Sequence, residues 1–430
     1  MKRWLARLVT LSLAVLTPAA FLGTAPPAQA LTSGLVQVTS FGSNPSGLQM
    51  YAYVPTTVKA SPPILLALHQ CTGSGPGFFS GTAFASLADQ YGFIVIYPSV
   101  TRSGSCWDVS SSQALTRNGG SDPVGLMSMI TYAEQHYGGN PNAVYVTGAS
   151  SGAMMTNVML GDYPDVFKAG AAFMGVPFGC FFTGTVDGWN SACANGQVSN
   201  TAAAWGNMVR NADPGYSGPR PRMQLWHGTA DGTLNYENLS QEILQWTNVL
   251  GVSSTATSTT TPVSGWTETQ YANAAGTPQV EALSIAGAGH VLPESGAGME
   301  ANAIAFMGLN ASTQGGGGGG GTGGSGGSCH VSYQTTSQWT GGFTASVTIT
   351  DTGSAALSGW TLKFTFPGDQ HITSAWNGTA TQSGENVTIT NASYNGTVAA
   401  GGSTSAGFQG TWTSSDATPA SFTLNGAACT

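Results

Sequence analysis

Charge is what this chain has least of. It carries 11 Lys and Arg and 19 Asp and Glu, so only 7% of its 430 residues are charged. So few basic groups argue against nucleic acid and anionic membrane as partners. Histidine is scarce too, with six in the chain, which leaves few candidates for any imidazole chemistry. No zinc-type cysteine spacing, HExxH or EF-hand loop occurs, so no metal site is expected. After the first 30 residues no apolar run approaches the ~20 residues that a membrane helix needs.

The N-terminus itself reads as a secretory signal peptide over residues 1–30. Lys2, Arg3 and Arg7 form its basic end, an apolar stretch follows, and Ala28-Gln29-Ala30 is a small-x-small cleavage site. A membrane anchor is the competing reading, opposed by Pro18 and the shortness of the apolar run. Removal of this segment leaves 8 basic against 19 acidic residues, a net charge of −11. A weakly charged surface rich in Gly, Ser, Thr and Asn suits a secreted, extracellular protein working beside an uncharged polymer. All six cysteines follow residue 30, and an exported chain meets an oxidising compartment, so disulfides are expected. Six cysteines allow fifteen pairings. Their order suggests sequential ones: Cys71 with Cys106, Cys180 with Cys193, Cys329 with Cys429.

Residues 311–328, "ASTQGGGGGGGTGGSGGS", bury no apolar surface and read as a flexible linker. They divide the rest into residues 31–310 and 329–430. In the first part, short runs rich in Val, Ile and aromatics such as "PILLALH" (63–69), "FIVIYP" (93–98), "AVYVTG" (143–148) and "RMQLWHG" (222–228) alternate with stretches of helical spacing. This alternation predicts an α/β domain with a mostly parallel sheet covered by helices on both faces. In the second part the period changes to two. Phe343, Ala345, Val347 and Ile349 alternate with polar residues, as do Trp360, Leu362, Phe364 and Phe366. That predicts an all-β sandwich with those side chains in its core.

The candidate chemistry lies in the first part. Gly148-Ala149-Ser150-Ser151-Gly152 matches G-x-S-x-G between a predicted strand and a predicted helix. In a nucleophile elbow the chain turns so sharply there that the serine hydroxyl projects above the sheet. Ser150 is the nucleophile by position, and Ser151 is the rival. A serine needs a base, and the base an orienting acid, in the chain order Ser, acid, His. Among His69, His136, His227 and His290, only His290 follows far enough. His136 reads as a helix surface residue and His227 as structural. Asp231, just past a strand in "MQLWHGTADGT", is the candidate acid, although a turn-forming role beside Gly232 is also open. Asp187, Asp213 and Glu237 are weaker rivals. The oxyanion hole needs backbone N–H donors. Ser151 supplies one, and the loop after "PILLALHQCTG" supplies the other through Cys71, with Thr72 next.

These motifs, together with "LHQCTGSGPGFFSG", "CWDVSS", "GVPFGCF", "VDGWNSAC" and "GAGH", resemble the acetylxylan esterases of carbohydrate esterase family 1 and, more widely, the polyhydroxybutyrate-depolymerase-like esterases. The resemblance runs through nearly all of residues 35–310. It implies an α/β-hydrolase fold, no metal or other cofactor, and a Ser150–Asp231–His290 triad. It implies removal of acetyl groups from xylan; feruloyl ester or polyhydroxyalkanoate hydrolysis are the alternatives. Trp189 is a candidate substrate-binding residue, with packing against its own loop as the bland reading. Residues 329–430 resemble a family 2 carbohydrate-binding module. Trp376 and Tyr394 stand beside Asn-Gly turns and Trp339 beside a Gly pair, so their faces are candidates for stacking on sugar rings. In that family such a set implies cellulose as partner. Tyr394 stands where Trp is usual, which leaves xylan or chitin open.

Overall fold

The computed structural model describes residues 34–310, apart from 59, 292 and 294–297, and residues 329–429, apart from 353–356, 393–394, 399–401, 416 and 420. The expected signal peptide and linker lie outside the described residues. The chain separates into two compact units, Met1–Gln314 and Gly315–Thr430.

The first unit is built on a ten-stranded sheet. Its strands are β1 (Val36–Val38), β2 (Gln49–Tyr53), β3 (Ile64–Leu68), β4 (Ile94–Ser99), β5 (Val144–Ala149), β6 (Phe167–Phe173), β7 (Arg222–Gly228), β8 (Ser258–Thr260), β9 (Trp266–Ala272) and β10 (Pro278–Ile285), in the spatial order β1-β2-β4-β3-β5-β6-β7-β10-β9-β8. The six central strands from β4 to β10 run parallel. Their continuous apolar runs are explained by cover on both faces. Along β3, Ile64, Leu66 and Leu68 enter one core, and Leu65 and Ala67 enter the other. The outer pairs, β1 with β2 and β9 with β8, extend the sheet antiparallel. The expected parallel sheet is thus its middle. The edge strands escape an apolar-run reading because they are short or polar, as in "WTETQYA".

Eight helices are described: α1 (Gly75–Gly81), α2 (Phe84–Tyr91), α3 (Asp122–Tyr137), α4 (Ser151–Asp162), α5 (Ser191–Ala194), α6 (Ala202–Ala212), α7 (Glu237–Leu250) and α8 (Met299–Met307). Helix α4 is buried along its whole length, as a helix without a polar face must be. The disulfides join Cys71 to Cys106 and Cys180 to Cys193 in this unit, and Cys329 to Cys429 in the other.

The second unit is all-β. A four-stranded sheet has the order β11 (Cys329–Trp339), β12 (Gly342–Asp351), β19 (Ser403–Thr411), β15 (His371–Trp376). A five-stranded sheet contains β16 (Gly378–Ser383), β17 (Asn386–Asn391), β14 (Thr361–Thr365), β20 (Phe422–Leu424) and β21 (Ala427–Ala428); β13 (Leu357–Ser358) pairs with β18 (Thr397–Val398). Every described pairing is antiparallel. Phe343, Ala345, Val347, Ile349, Trp360, Leu362, Phe364 and Phe366 share its core.

Candidate active site

The elbow is visible in the backbone. Ser150 stands between β5 and α4 with φ 55° and ψ −114°, a conformation that costs a non-glycine residue about 1–3 kcal/mol. Two features hold it. The Ser150 N–H donates to Phe173 O at 2.8 Å, and Ser150 O accepts from Met154 N–H at 3.0 Å. The flanking glycines allow close approach: a Cβ on Gly152 would land on Leu68 O, and one on Gly148 on Gly152 O. Only glycine at both positions lets β3, β5 and α4 meet this tightly.

Asp231 and His290 lie in two loops that are zipped together. Thr229 N–H donates to Ile285 O, Ala230 N–H to Ala288 O, and Gly287 N–H to Thr229 Oγ1. Gly228 has no side chain because a Cβ there would strike the 288–289 backbone. His290 Nδ1 lies 2.7 Å from Asp231 Oδ2, which assigns the proton to Nδ1 and leaves Nε2 as a lone pair. That Nε2 is buried without a hydrogen-bond partner among the described residues, the condition of a base awaiting a proton. The other oxygen, Asp231 Oδ1, accepts from Thr233 and Leu234 N–H at 2.8 and 2.9 Å. Burial works to raise the Asp231 carboxyl, but its contacts with His227, His290 and Leu234 N–H outweigh it and hold the group well below the usual carboxylate range. Ser150 follows β5, Asp231 follows β7 and His290 follows β10, so all three lie at the carboxyl edge of parallel strands, where open α/β sheets bind ligands. The rival acids are occupied elsewhere: Asp187 pairs with Arg102, Asp213 with Arg117, and Glu237 accepts from Gln241.

For the oxyanion, Ser151 begins α4, so its N–H has no intrahelical partner. The loop after β3 separates the two earlier options. Thr72 N–H is spent on Gly104 O at 2.8 Å, which removes Thr72 as a donor. Cys71 N–H makes no hydrogen bond among the described residues. Its loop is pinned by the Cys106 bridge and by Arg102, whose guanidinium forks onto Asp122 at 2.7 Å twice and also donates to Cys106 O. Burial works against the Arg102 charge, but Asp122 more than compensates. Sequence reasoning missed this anchor, since an arginine 31 positions after Cys71 and 20 before Asp122 carries no local pattern.

The other histidines are accounted for. His69 is fully buried, with Nδ1 on Gln70 O and Nε2 accepting from Val100 N–H; burial pushes it down to about 4, so it is neutral. His136 is exposed on α3 and stacks on Tyr132. Trp189 is 57% exposed in the Cys180–Cys193 loop and packs edge-on against Phe181, so both of its earlier readings have something in their favour.

In the second unit Trp339 and Trp376 are each 45% exposed. They stand on β11 and β15, the two outer strands of the four-stranded sheet, and each lies over a glycine of the neighbouring strand. A Cβ on Gly342 would land on the Trp339 indole, and one on Gly407 on that of Trp376. Tyr394 lies outside the described residues. No cluster of His, Cys, Asp or Glu suited to a metal occurs among the described residues.

Residues 48–248 match the family described as Esterase PHB depolymerase, and residues 329–429 match the Cellulose binding domain. Feruloyl esterase B of Talaromyces funiculosus is 46% identical over 266 residues, 61% of this chain and 74% of that one. The acetylxylan esterase of Coprinopsis cinerea is 48% identical over 291 residues, 66% of this chain and 76% of that one. The chain belongs to this esterase family. Among solved structures, the acetyl xylan esterase from Aspergillus awamori superimposes with a TM-score of 0.61 at 42% identity, covering 64% of this chain and 99% of that one. The family makes the first unit a carboxylic-ester hydrolase with an α/β fold, joined to a C-terminal carbohydrate-binding β-sandwich.

Proposed function

We propose that this chain is a secreted serine esterase that removes acetyl groups from xylan while its second unit holds it on plant cell-wall polysaccharide. The observation that carries the reaction is the Asp231–His290 contact of 2.7 Å, with the His290 Nε2 lone pair unpartnered, at the sheet edge that bears the strained Ser150. In this reading Ser150 Oγ attacks the ester carbonyl and His290 Nε2 takes its proton. Asp231 stabilises the imidazolium, and the N–H groups of Cys71 and Ser151 receive the developing oxyanion. The sugar hydroxyl leaves with the proton from His290, and water then releases acetate from Ser150 by the same steps.

Residues 1–30 are the export signal in this proposal, 31–310 the esterase domain, 311–328 a tether and 329–430 the binding module. Trp339 and Trp376 offer stacking faces to cellulose or a related insoluble chain, with Tyr394 a further candidate from the sequence, which raises local substrate concentration without adding chemistry. Acetylxylan is favoured as substrate by the names of the Coprinopsis and Aspergillus relatives.

A second reading, release of ferulate from feruloylated xylan, draws on the Talaromyces relative and on the exposed apolar side chains of Phe182, Val186 and Trp189. Treatment of native plant xylan decides: acetate is the expected product in molar excess over ferulate. Ferulate alone would transfer the assignment to the second reading, and hydrolysis of polyhydroxybutyrate films with neither acid released would overturn both.

A further inference from the structure

His227 is the penultimate residue of β7 and is fully buried, yet its imidazole is not packed among apolar groups alone. Its Nε2 lies 2.8 Å from Leu234 O and 3.4 Å from Asp231 Oδ2. The shorter contact is the hydrogen bond, so Nε2 carries the proton. The longer one presents the same N–H dipole edge-on to the carboxylate. Leu234 is therefore held from both sides: its carbonyl accepts from His227, and its own N–H donates to Asp231 Oδ1 at 2.9 Å. The turn 231–234 is closed around the carboxylate by one imidazole reaching across its back.

We propose that His227 is a positioning residue for the esterase reaction, a second histidine that fixes the rotation of the Asp231 carboxylate so that Oδ2 meets His290 Nδ1. The inference rests on the serine-esterase reading above. It reaches beyond the triad because His227 touches neither substrate nor nucleophile and acts through Asp231. The groups that face His227 are few. Asp231 and, through it, His290 lie on one side. The Tyr236 ring lies edge-on at 6.1 Å, with its hydroxyl on Ser284 of β10. From α7 comes the buried Glu242, which accepts from Asn157 Nδ2 at 2.8 Å. His227 Nδ1 is itself buried without a hydrogen-bond partner among the described residues. With no acceptor at Nδ1, the proton the geometry requires is the one on Nε2, which satisfies Leu234 O.

The sign of the pH effect follows. The His227 N–H draws electron density from Oδ2. Without it the Asp231 carboxylate is more basic, holds the His290 imidazolium more strongly, and the acidic limb of kcat/KM moves to higher pH. Loss of the clamp also lets the carboxylate rotate, and misplacement of a catalytic pair costs about tenfold or more in kcat.

The test is steady-state hydrolysis of 4-nitrophenyl acetate by the full chain, with H227L and H227Q compared across pH. H227L is expected to lose about tenfold in kcat with KM nearly unchanged and to shift the acidic limb upward. H227Q, whose amide N–H reaches the position of Nε2, should recover most of the loss and return the limb toward its starting place. Should H227L not fold, H227N carries the same readouts, since its shorter amide falls short of Leu234 O. A folded H227L or H227N with the original kcat and pH profile overturns the proposal, as does H227Q behaving no better than H227L. Retained activity in S150A would instead overturn the serine-esterase reading, so the two failures are distinguishable.

Discussion

Trp226 and Trp376 belong to one chain and are treated in opposite ways. Trp226 is fully buried, donates Nε1–H to Gln224 Oε1 at 2.8 Å and packs edge-on against Trp266. Trp376 is 45% exposed and lies over Gly407. Four other buried tryptophans follow Trp226, although the buried Nε1 of Trp412 has no hydrogen-bond partner among the described residues. Each of the buried indoles of Trp107, Trp205, Trp226, Trp246 and Trp360 gives its N–H to a named acceptor, as burial of a polar handle requires. The exposed pair in the second unit has a bare strand beneath it instead. The first unit buries Asp231, His227, Glu242 and Glu281 and the second buries Asp351, while the second unit's candidate surface is two flat indoles. In the proposed reading, the first unit's buried Asp231 and His227 serve the chemistry and the second unit's indole faces serve recognition.

Ser150→Ala should break that comparison most cleanly. Removing a triad nucleophile costs on the order of 10⁴-fold or more in kcat, so 4-nitrophenyl acetate turnover should fall to near background. Retention of the same protein on microcrystalline cellulose should not change. Residual turnover within tenfold of the parent would show that the elbow does not carry the reaction. A parallel loss of cellulose retention would show that the two units are not independent.

Between about pH 4.5 and 7 a pH-dependent stability should come from the first unit. Burial pushes Glu242 up to about 7, with Asn157 and His227 only partly offsetting it. Burial and the nearby Glu268 push Glu281 to about 7 as well. Both folded-state values lie above the unfolded value, so between about pH 4.5 and 7 the native state holds protons that the unfolded chain has released, and stability falls as pH rises. The effect is on the order of 3 kcal/mol for each group across that window. Thermal unfolding should therefore show a first-unit transition that is higher near pH 5 than near pH 7.5. E242Q and E281Q should each flatten the slope. A melting temperature that rises across the window would contradict the assignment.

How much of this was readable beforehand follows from the range of the forces involved. The elbow is local: two glycines, a serine and the change from strand to helix lie within ten residues. The rule that the acid precedes the base along the chain selected Asp231 and His290, and the side chains do meet. The core of the β-sandwich was equally legible, because alternation of Phe343, Ala345, Val347 and Ile349 is a property of one strand. What escaped was set by chain segments that are distant in sequence. The antiparallel edges of the large sheet are short and polar. Thr72 stood second to Cys71 as an oxyanion donor, and nothing local foretold that Gly104 O would occupy its N–H. The position of His227 at a strand end gave no hint that residues 231–234 would fold back onto its ring. Gly342 and Gly407 look like ordinary strand-weakening glycines until an indole is found above each.

That last point sharpens the comparison at its finest grain. If the exposed tryptophans bind by their faces, the glycine beneath matters as much as the ring. Trp376→Ala should weaken cellulose retention about five- to tenfold, the scale of one aromatic stacking contact of ~1 kcal/mol, with soluble ester hydrolysis intact. Gly407→Ala keeps the ring but places a Cβ where Trp376 Cε2 and Nε1 now lie, so the indole must tilt off the sheet. Its retention should fall by a somewhat smaller factor, while the Trp376 fluorescence maximum shifts as the ring's contact with the strand changes. The pair separates two accounts of the surface. If exposed apolar area alone drives binding, Gly407→Ala, which exposes more of the ring, binds at least as well as the parent. If a flat face held against the strand is what meets the polymer, the added methyl group acts in the same direction as loss of the ring itself.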